Sequence, residues 1–169
     1  MEFSELLTAR RSTRAFTDRR LTRGEVDRML TAATRAPSAC NMQSWHFYAV
    51  TDPDVRAKFA DGIYAPWAAT APMIFVVCTD GDAIISRFGE RAKTFIIQDT
   101  ALAAENLLLS AADMGLGGCF MGAFDADKGR ALLDIPPKRN IVALIPVGEP
   151  SGEVPLRERK PLSEVVTYV

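Results

Sequence analysis

The stretch "ARRSTRAFTD", residues 9–18, sets Arg10, Arg11 and Arg14 within five positions, with Ser12 and Thr13 between them. Guanidinium groups this close repel one another unless an anion, carboxylates or water come between them. One chemistry that suits the cluster is a phosphate clamp. Arginine offers a rigid donor fork matched to phosphate oxygens, and Ser12 adds a hydroxyl. The alternative is a solvated face paired with nearby acids such as Glu5 and Asp18. A second cationic stretch, Arg157, Arg159 and Lys160, lies far along the chain. If the two stretches meet, a phosphate monoester is the natural counter-anion. A third polar group, Ser38, Asn41, Gln43 and Ser44, falls in "APSACNMQSWHF", residues 36–47. Its amides both donate and accept, which suits the edge of a pyrimidine-like ring. The same residues could equally satisfy their own backbone in a turn.

Other chemistries are poorly supplied. His46 is the single histidine, and no CxxC or HxxxH pair occurs, so no metal is expected. Beside Trp45 at the head of an apolar run, His46 reads as a hydrogen-bonded structural residue. The run "GLGGCFMG", residues 115–122, follows a helical segment and lacks the GxGxxG spacing of a dinucleotide loop. There Gly115 suits a helix C-terminus, and Gly117 and Gly118 a turn. There is no GxxxxGK[ST] loop and no GxSxG elbow. Cys40 and His46 could form a nucleophile pair only if the fold brought them together.

Composition narrows the class. Lys plus Arg total 20 against 21 Asp plus Glu, a net charge of -1, so no global field attracts nucleic acid or an acidic membrane. No apolar run reaches the ~18 residues of a bilayer span, and the N-terminus lacks a signal-peptide layout. Cys40, Cys78 and Cys119, odd in number and widely spaced, fit a reducing cytoplasm better than a disulfide framework.

These residues must be carried by regular elements. Val26, Met29, Leu30 and Ala33 recur at helical spacing, which predicts a helix over 23–36 with Thr22 as N-cap and Pro37 as its stop. Residues 45–50, 73–79 and 140–148 are β-branched and aromatic runs that read as strands of a buried sheet. A short helix is expected over 125–135, with Asp125 near its start. The long helix from about Arg91 to Met114 has polar Gln98, Asp99, Glu105, Asn106, Ser110 and Asp113 in an arc of roughly 140°, leaving about 220° apolar. Such a helix packs on two sides, either inside one domain or also in a dimer core. One domain over 1–169 is expected, with residues 150–169, rich in proline and charge, as an extended arm.

Taken in order, "RRSTRAF", "APSACNMQSWHF", "QDTALAAENLLLSAADMGLGGCFMGAFD" and "ALIPVGEP…RERKPL" resemble the nitroreductase-like flavoproteins, over essentially the whole chain and in a short form. The resemblance implies a three-layer α+β fold, a central mixed or antiparallel sheet flanked by helices, and a homodimer built on the long helix with FMN at the subunit interface. It assigns Arg10, Arg11, Ser12 and Arg14 to the FMN phosphate and part of the flavin, with Arg157 and Arg159 completing the phosphate pocket. Pro37, Ser38, Ala39, Asn41 and Gln43 would approach the flavin from the other subunit. Gly118, Met121 and Gly122 would lie along its edge, with backbone N–H groups near N5.

By the same resemblance, hydride from NAD(P)H reaches flavin N5 and then a small oxidised acceptor such as a nitroaromatic or quinone, in ping-pong order at one shared site. Arg14 is the candidate to stabilise the reduced flavin, and no side chain is assigned as an acid or base. A dehalogenase, a flavin-fragmenting synthase, or a non-catalytic FMN carrier or redox sensor are the alternatives, as is a dimer without flavin. The chain departs from the family at Cys40, usually Gly, and Ser44, usually Pro. Cys40, Tyr64 and Trp67 are substrate-side candidates, and Asp at Leu107 or Leu108 is expected to break the dimer and release FMN.

Overall fold

A computed structural model describes residues 1–62 and 65–169. Its centre is a four-stranded antiparallel sheet in the order β1-β2-β4-β3, formed by β1 (Trp45–Val50), β2 (Met73–Thr79), β3 (Gly117–Gly118) and β4 (Ile141–Gly148). Strand β2 is buried at every position. Its alternating side chains divide between two cores, as the two-residue period of a strand requires. Met73, Phe75 and Val77 join Ala143, Ile145 and Val147 of β4 on one face. Ile74, Val76 and Cys78 join Leu144 on the other. A strand covered on both faces has no reason to alternate with polar residues, hence the continuous run "MIFVVCT".

The helices supply the outer layers. The first core is closed by Val26, Met29 and Ala33 of α2 (Arg23–Ala33) and by Ala103, Ala104, Leu107, Leu108 and Ala111 of α5 (Ala92–Asp113). The second is closed by Phe59 of α3 (Pro53–Gly62), by Ala68 in a 3-10 turn over Pro66–Thr70, and by Leu132 of α6 (Ala126–Leu132). The remaining helices are α1 (Phe3–Ala9), α4 (Asp82–Phe88) and α7 (Leu162–Val165). Three layers result, as the family resemblance implied.

Local chemistry sets the boundaries. Thr22 and Glu25 cap α2 reciprocally, the hydroxyl accepting from the Glu25 N–H and the carboxylate from the Thr22 N–H at 2.8 Å. The helix ends at Ala33, three residues short of expectation, and turns through Ala36 before Pro37, whose ring disfavours helical backbone in the residue before it. Asp125 caps α6 through the N–H groups of Asp127 and Lys128. Gly115, at φ +74, ends the turn after α5 in the left-handed conformation that glycine adopts freely. Gly117 and Gly118 form β3 instead of a turn, pairing with Gly148 and Val147.

Helix α5 packs on two sides within one chain, which accounts for much of its wide apolar arc. Leu107 and Leu108 lie in this core, at 0% and 3% exposure, so a charge there attacks the subunit's own packing. The large apolar side chains that α5 leaves exposed are Ile97 and Leu102. Asp99, expected on the wet arc, is buried instead. Residues after Ser151 are exposed apart from half-buried Val154, and the arm is not wholly extended, since α7 interrupts it.

Candidate functional site

The two cationic stretches meet. Arg10, Arg11, Ser12 and Arg14 line a cavity of about 340 Å³ together with Val154, Pro155, Leu156, Arg157 and Arg159. The geometry follows from pairing at the sheet edge. Ser12 bridges Gly118 of β3, the Thr13 N–H donates to the Gly118 carbonyl at 3.0 Å, and Phe16 bridges Pro150. This lays the N-terminal segment beside the strand that leads into the arm. The Arg11 Nη1 donates to the Val154 carbonyl at 2.7 Å and fastens the arm over the cavity.

The arginines are not neutralised by the acids expected of a solvated face. Glu5 is occupied in the capping box of α1, and among the described residues Asp18 pairs with none of the three. Arg10 reaches Glu105 of α5 at 3.5 Å, while Arg11 donates to the Thr8 carbonyl and the exposed Arg14 to the Ser12 carbonyl. Five arginines and a serine therefore line one cavity, and no carboxylate does. That donor set fits a phosphate-bearing ligand and disfavours a cation or a neutral one.

The Pro37–Gln43 loop is a separate construction, and none of it lines that cavity. It holds three non-glycine residues in the left-handed region, Cys40 at φ 51, Asn41 at φ 55 and Gln43 at φ 53. Such backbone costs roughly 1–2 kcal/mol for most residues, so something must hold it. The Gln43 N–H donates to Ser38 Oγ at 3.0 Å and the Asn41 N–H to the Ser38 carbonyl. Both oxygens of Asp99 accept from the Ala39 N–H, at 3.0 and 3.1 Å. Burial pushes the Asp99 carboxyl above its usual range, and the Ala39 N–H draws it partly back. Ala39 and Met42 pack on Ile84, Ala92 and Ile96, which leaves Cys40, Asn41 and Gln43 facing outward. Cys40 occupies a left-handed position, which explains physically why glycine suits it.

The third candidate set divides. Gly118 is buried in β3, and the Met121 N–H is spent on the Leu144 carbonyl at 2.9 Å, so it is not free for a ligand. Gly122, just outside that pairing, is exposed. The Cys119 thiol is raised by burial and drawn down by nearby Arg14, Ser12 and Arg10, which places it behind the arginine cluster. Burial pushes Cys78 up to about 12, so burial holds both buried thiols toward the protonated form, the weaker nucleophile. Trp67 is half-buried against the second core, and Tyr64 lies outside the described residues. His46 meets Tyr48 edge-on at 4.9 Å and 64°, and among the described residues its ring has this contact and no hydrogen bond. Burial lowers its pKa, with Arg139 acting in the same direction. Among the described residues no His, Cys, Asp and Glu cluster could hold a metal, and no helix is long and apolar enough to cross a membrane.

Comparison with known proteins identifies the family. The sequence profile of the nitroreductase family matches residues 7–64 and 60–149. The chain belongs to the nitroreductase family. A provisionally named NADH dehydrogenase/NAD(P)H nitroreductase of Methanothermobacter thermautotrophicus is 31% identical over 156 residues, covering 89% of this chain and 78% of that protein. The FMN reductase (NADPH) of Bacillus subtilis is 29% identical over 185 residues, covering 97% and 73%. The crystal structure of a nitroreductase family protein from Streptococcus pneumoniae superposes with a TM-score of 0.92 at 25% identity, over 99% of this chain and 100% of that one.

Two members of the site were not legible beforehand. Asp99 was assigned to the wet face of its helix, because periodicity does not see a loop folding back onto a carboxylate. The Val154 carbonyl carries no sequence signal at all.

Proposed function

We propose that this nitroreductase-type, NAD(P)H-dependent enzyme holds FMN in the arginine-lined cavity and passes electrons from the nucleotide to a small oxidised acceptor such as a nitroaromatic or quinone. The observation that carries the reading is the convergence of five arginines and Ser12 from both ends of the chain on one cavity with no lining carboxylate. Bound there, FMN would supply hydride acceptance and donation at its ring, chemistry that no side chain of this protein offers. The protein supplies position and charge. Arg10, anchored on Glu105, together with Arg11, Ser12, Arg157 and Arg159, binds the phosphate. Arg14, the most outward of the first cluster, favours negative charge on the ring. Asn41 and Gln43, both exposed, would offer their amide groups to the ring of the partner's cofactor, and the exposed Gly122 would offer its main chain. One shared position for nucleotide and acceptor, used in turn, accounts for the lack of a second nucleotide motif.

This reading requires a homodimer. Phe3 and Leu7 of α1 and Ile97 and Leu102 of α5 are outward apolar side chains, at 67%, 51%, 53% and 47% exposure. The arm adds Leu156, Leu162, Val165 and Tyr168, all exposed. Burying such surfaces against a second copy gives the favourable free energy that their exposure forgoes, about 25 cal/mol per Å².

The test is a visible spectrum of the purified protein, followed by anaerobic addition of NADH or NADPH. A flavin band near ~450 nm that bleaches with either nucleotide supports the reading. A band that persists points to a flavin carrier, and a colourless protein after reconstitution with FMN overturns it.

A further inference from the structure

Beside the Pro37–Gln43 loop stands a feature that the phosphate cavity does not use. Ile85 of α4 and Phe95 of α5 pack in the same small core as Ala39 and Met42, so this corner and the loop share one core. On its outer side four residues alternate in charge and aromaticity. Arg87 lies over the Phe88 ring at 5.1 Å, and Arg91 lies over the Phe95 ring at 5.7 Å. The two rings meet edge to face at 6.2 Å and 78°. Arg87, Phe88 and Arg91 are exposed, while Phe95 is half-buried. Among the described residues neither arginine forms an ion pair, since the adjacent Glu90 is taken by Lys93 at 2.7 Å.

A guanidinium stacked on a ring is held in one plane and loses little further freedom on binding. Its outer face remains open to a second planar ring, and its N–H edge to an anion. Two such groups, joined through touching rings, make a ledge suited to a flat aromatic molecule that also carries a negative charge.

We infer that the Arg87–Phe88–Arg91–Phe95 ledge selects the oxidising substrate, favouring aromatic acceptors that bear a carboxylate or similar anion over neutral ones. The inference rests on the proposed flavin reading, in which the adjoining loop faces the cofactor. The ledge recognises and positions its ligand and does not react. For a nitroaromatic, NAD(P)H gives a hydride and solvent a proton. The nitro group becomes nitroso, one oxygen leaves as water, and NAD(P)⁺ is released.

The test uses FMN-loaded full-length protein with 4-nitrobenzoate and 4-nitrobenzamide, two acceptors that differ in charge at one ring position. The measured quantity is the ratio of their kcat/KM values, in the parent and in Arg87→Gln/Arg91→Gln. Because each acceptor is compared with itself across variants, intrinsic reactivity cancels. Loss of two exposed charge contacts lowers the anion-to-neutral ratio by about tenfold, and raising salt shrinks the parent's ratio toward the variant's. An unchanged ratio overturns the inference. A changed NADPH-to-NADH ratio with an unchanged acceptor ratio overturns it too, and assigns the ledge to the nucleotide's extra phosphate. Failure of the flavin reading shows separately, as a parent protein that neither holds FMN nor turns over the neutral acceptor.

Discussion

Gly117→Ala is the sharpest probe of how the sheet edge positions the arginines. A Cβ at Gly117 falls 2.6 Å from the Thr13 Cβ and 2.9 Å from its Cγ2, with Oγ1 nearer still. Thr13 cannot swing away, because a side-chain rotation leaves its Cβ in place. Its N–H is also held by the Arg11 and Gly118 carbonyls, each at 3.0 Å, and it is 2% exposed. The backbone must therefore part, at a cost of about 2 kcal/mol for overpacking of this kind. In a chain this long that lowers Tm by roughly 4–8 °C. The displaced segment carries Arg11, Ser12 and Arg14, so FMN affinity falls as well. Loss of one charge-assisted hydrogen bond is worth about 1.5–3 kcal/mol, or at least tenfold in Kd. Gly24→Ala is the matched control, because its Cβ meets nothing within 4 Å and alanine favours the first turn of α2. Thermal melts and FMN fluorescence titrations on both variants decide the matter. If Gly117→Ala melts within about 1 °C of the parent and binds FMN equally well, the close approach of Thr13 to β3 does not position the clamp.

Arg11→Ala removes both a phosphate donor and the fastening to Val154; FMN Kd rises by about tenfold or more while far-UV circular dichroism is retained. Leu102→Asp yields monomer and releases FMN in sedimentation with absorbance detection, whereas Leu107→Asp lowers the folded fraction itself; a Leu102→Asp monomer with full flavin affinity contradicts the shared site. Cys40→Gly relieves a left-handed cysteine and raises Tm by roughly 2–4 °C, about 1 kcal/mol, in a melting experiment. Glu25, hydrogen-bonded to Arg19 and then to the Thr22 backbone, has its pKa lowered from 4.5 to about 2. Its contribution is complete above pH 4.5, fades as pH falls, and is gone below 2. Glu25→Gln therefore costs about 1 kcal/mol at pH 7, and the gap from the parent in urea unfolding closes across that window.

The legible parts of the fold were those with long patterns or strong punctuation. Residues 45–50 and 73–79 were read as strands at the observed limits, since "WHFYAV" and "MIFVVCT" are apolar, β-rich and bounded by Ser, Pro or Asp. Thr22 is legible as a cap, and Asp125 as a residue near the start of its helix, where it proves to be the cap. Helices α1, α4 and α7 are short, and α1 buries no residue completely, so periodicity has little to register there; the longer α3 is not anticipated either. Convergence of Arg10, Arg11 and Arg14 with Arg157 and Arg159 follows from the family resemblance and not from charge, which poses it only as a condition; its cause, Ser12 bridging Gly118, depends on a two-residue strand that no pattern reveals. Asp99 failed for the opposite reason. Its residue type was read correctly as polar, but polarity does not distinguish water from a buried N–H.

The Arg11–Val154 hydrogen bond joins residues 143 positions apart. At a synthesis rate of ~5–20 residues per second, roughly 7–30 s pass between the emergence of one partner and the other. During that interval the first three arginines exist without the segment that roofs them. On the proposed reading the nascent chain cannot load its cofactor by halves, and a product stopped short of Arg157 has a clamp with one jaw. Cofactor retention then distinguishes chains that extend past Arg159 from those stopped before Arg157, and colour in a crude preparation becomes a measure of translation through the arm as well as of folding.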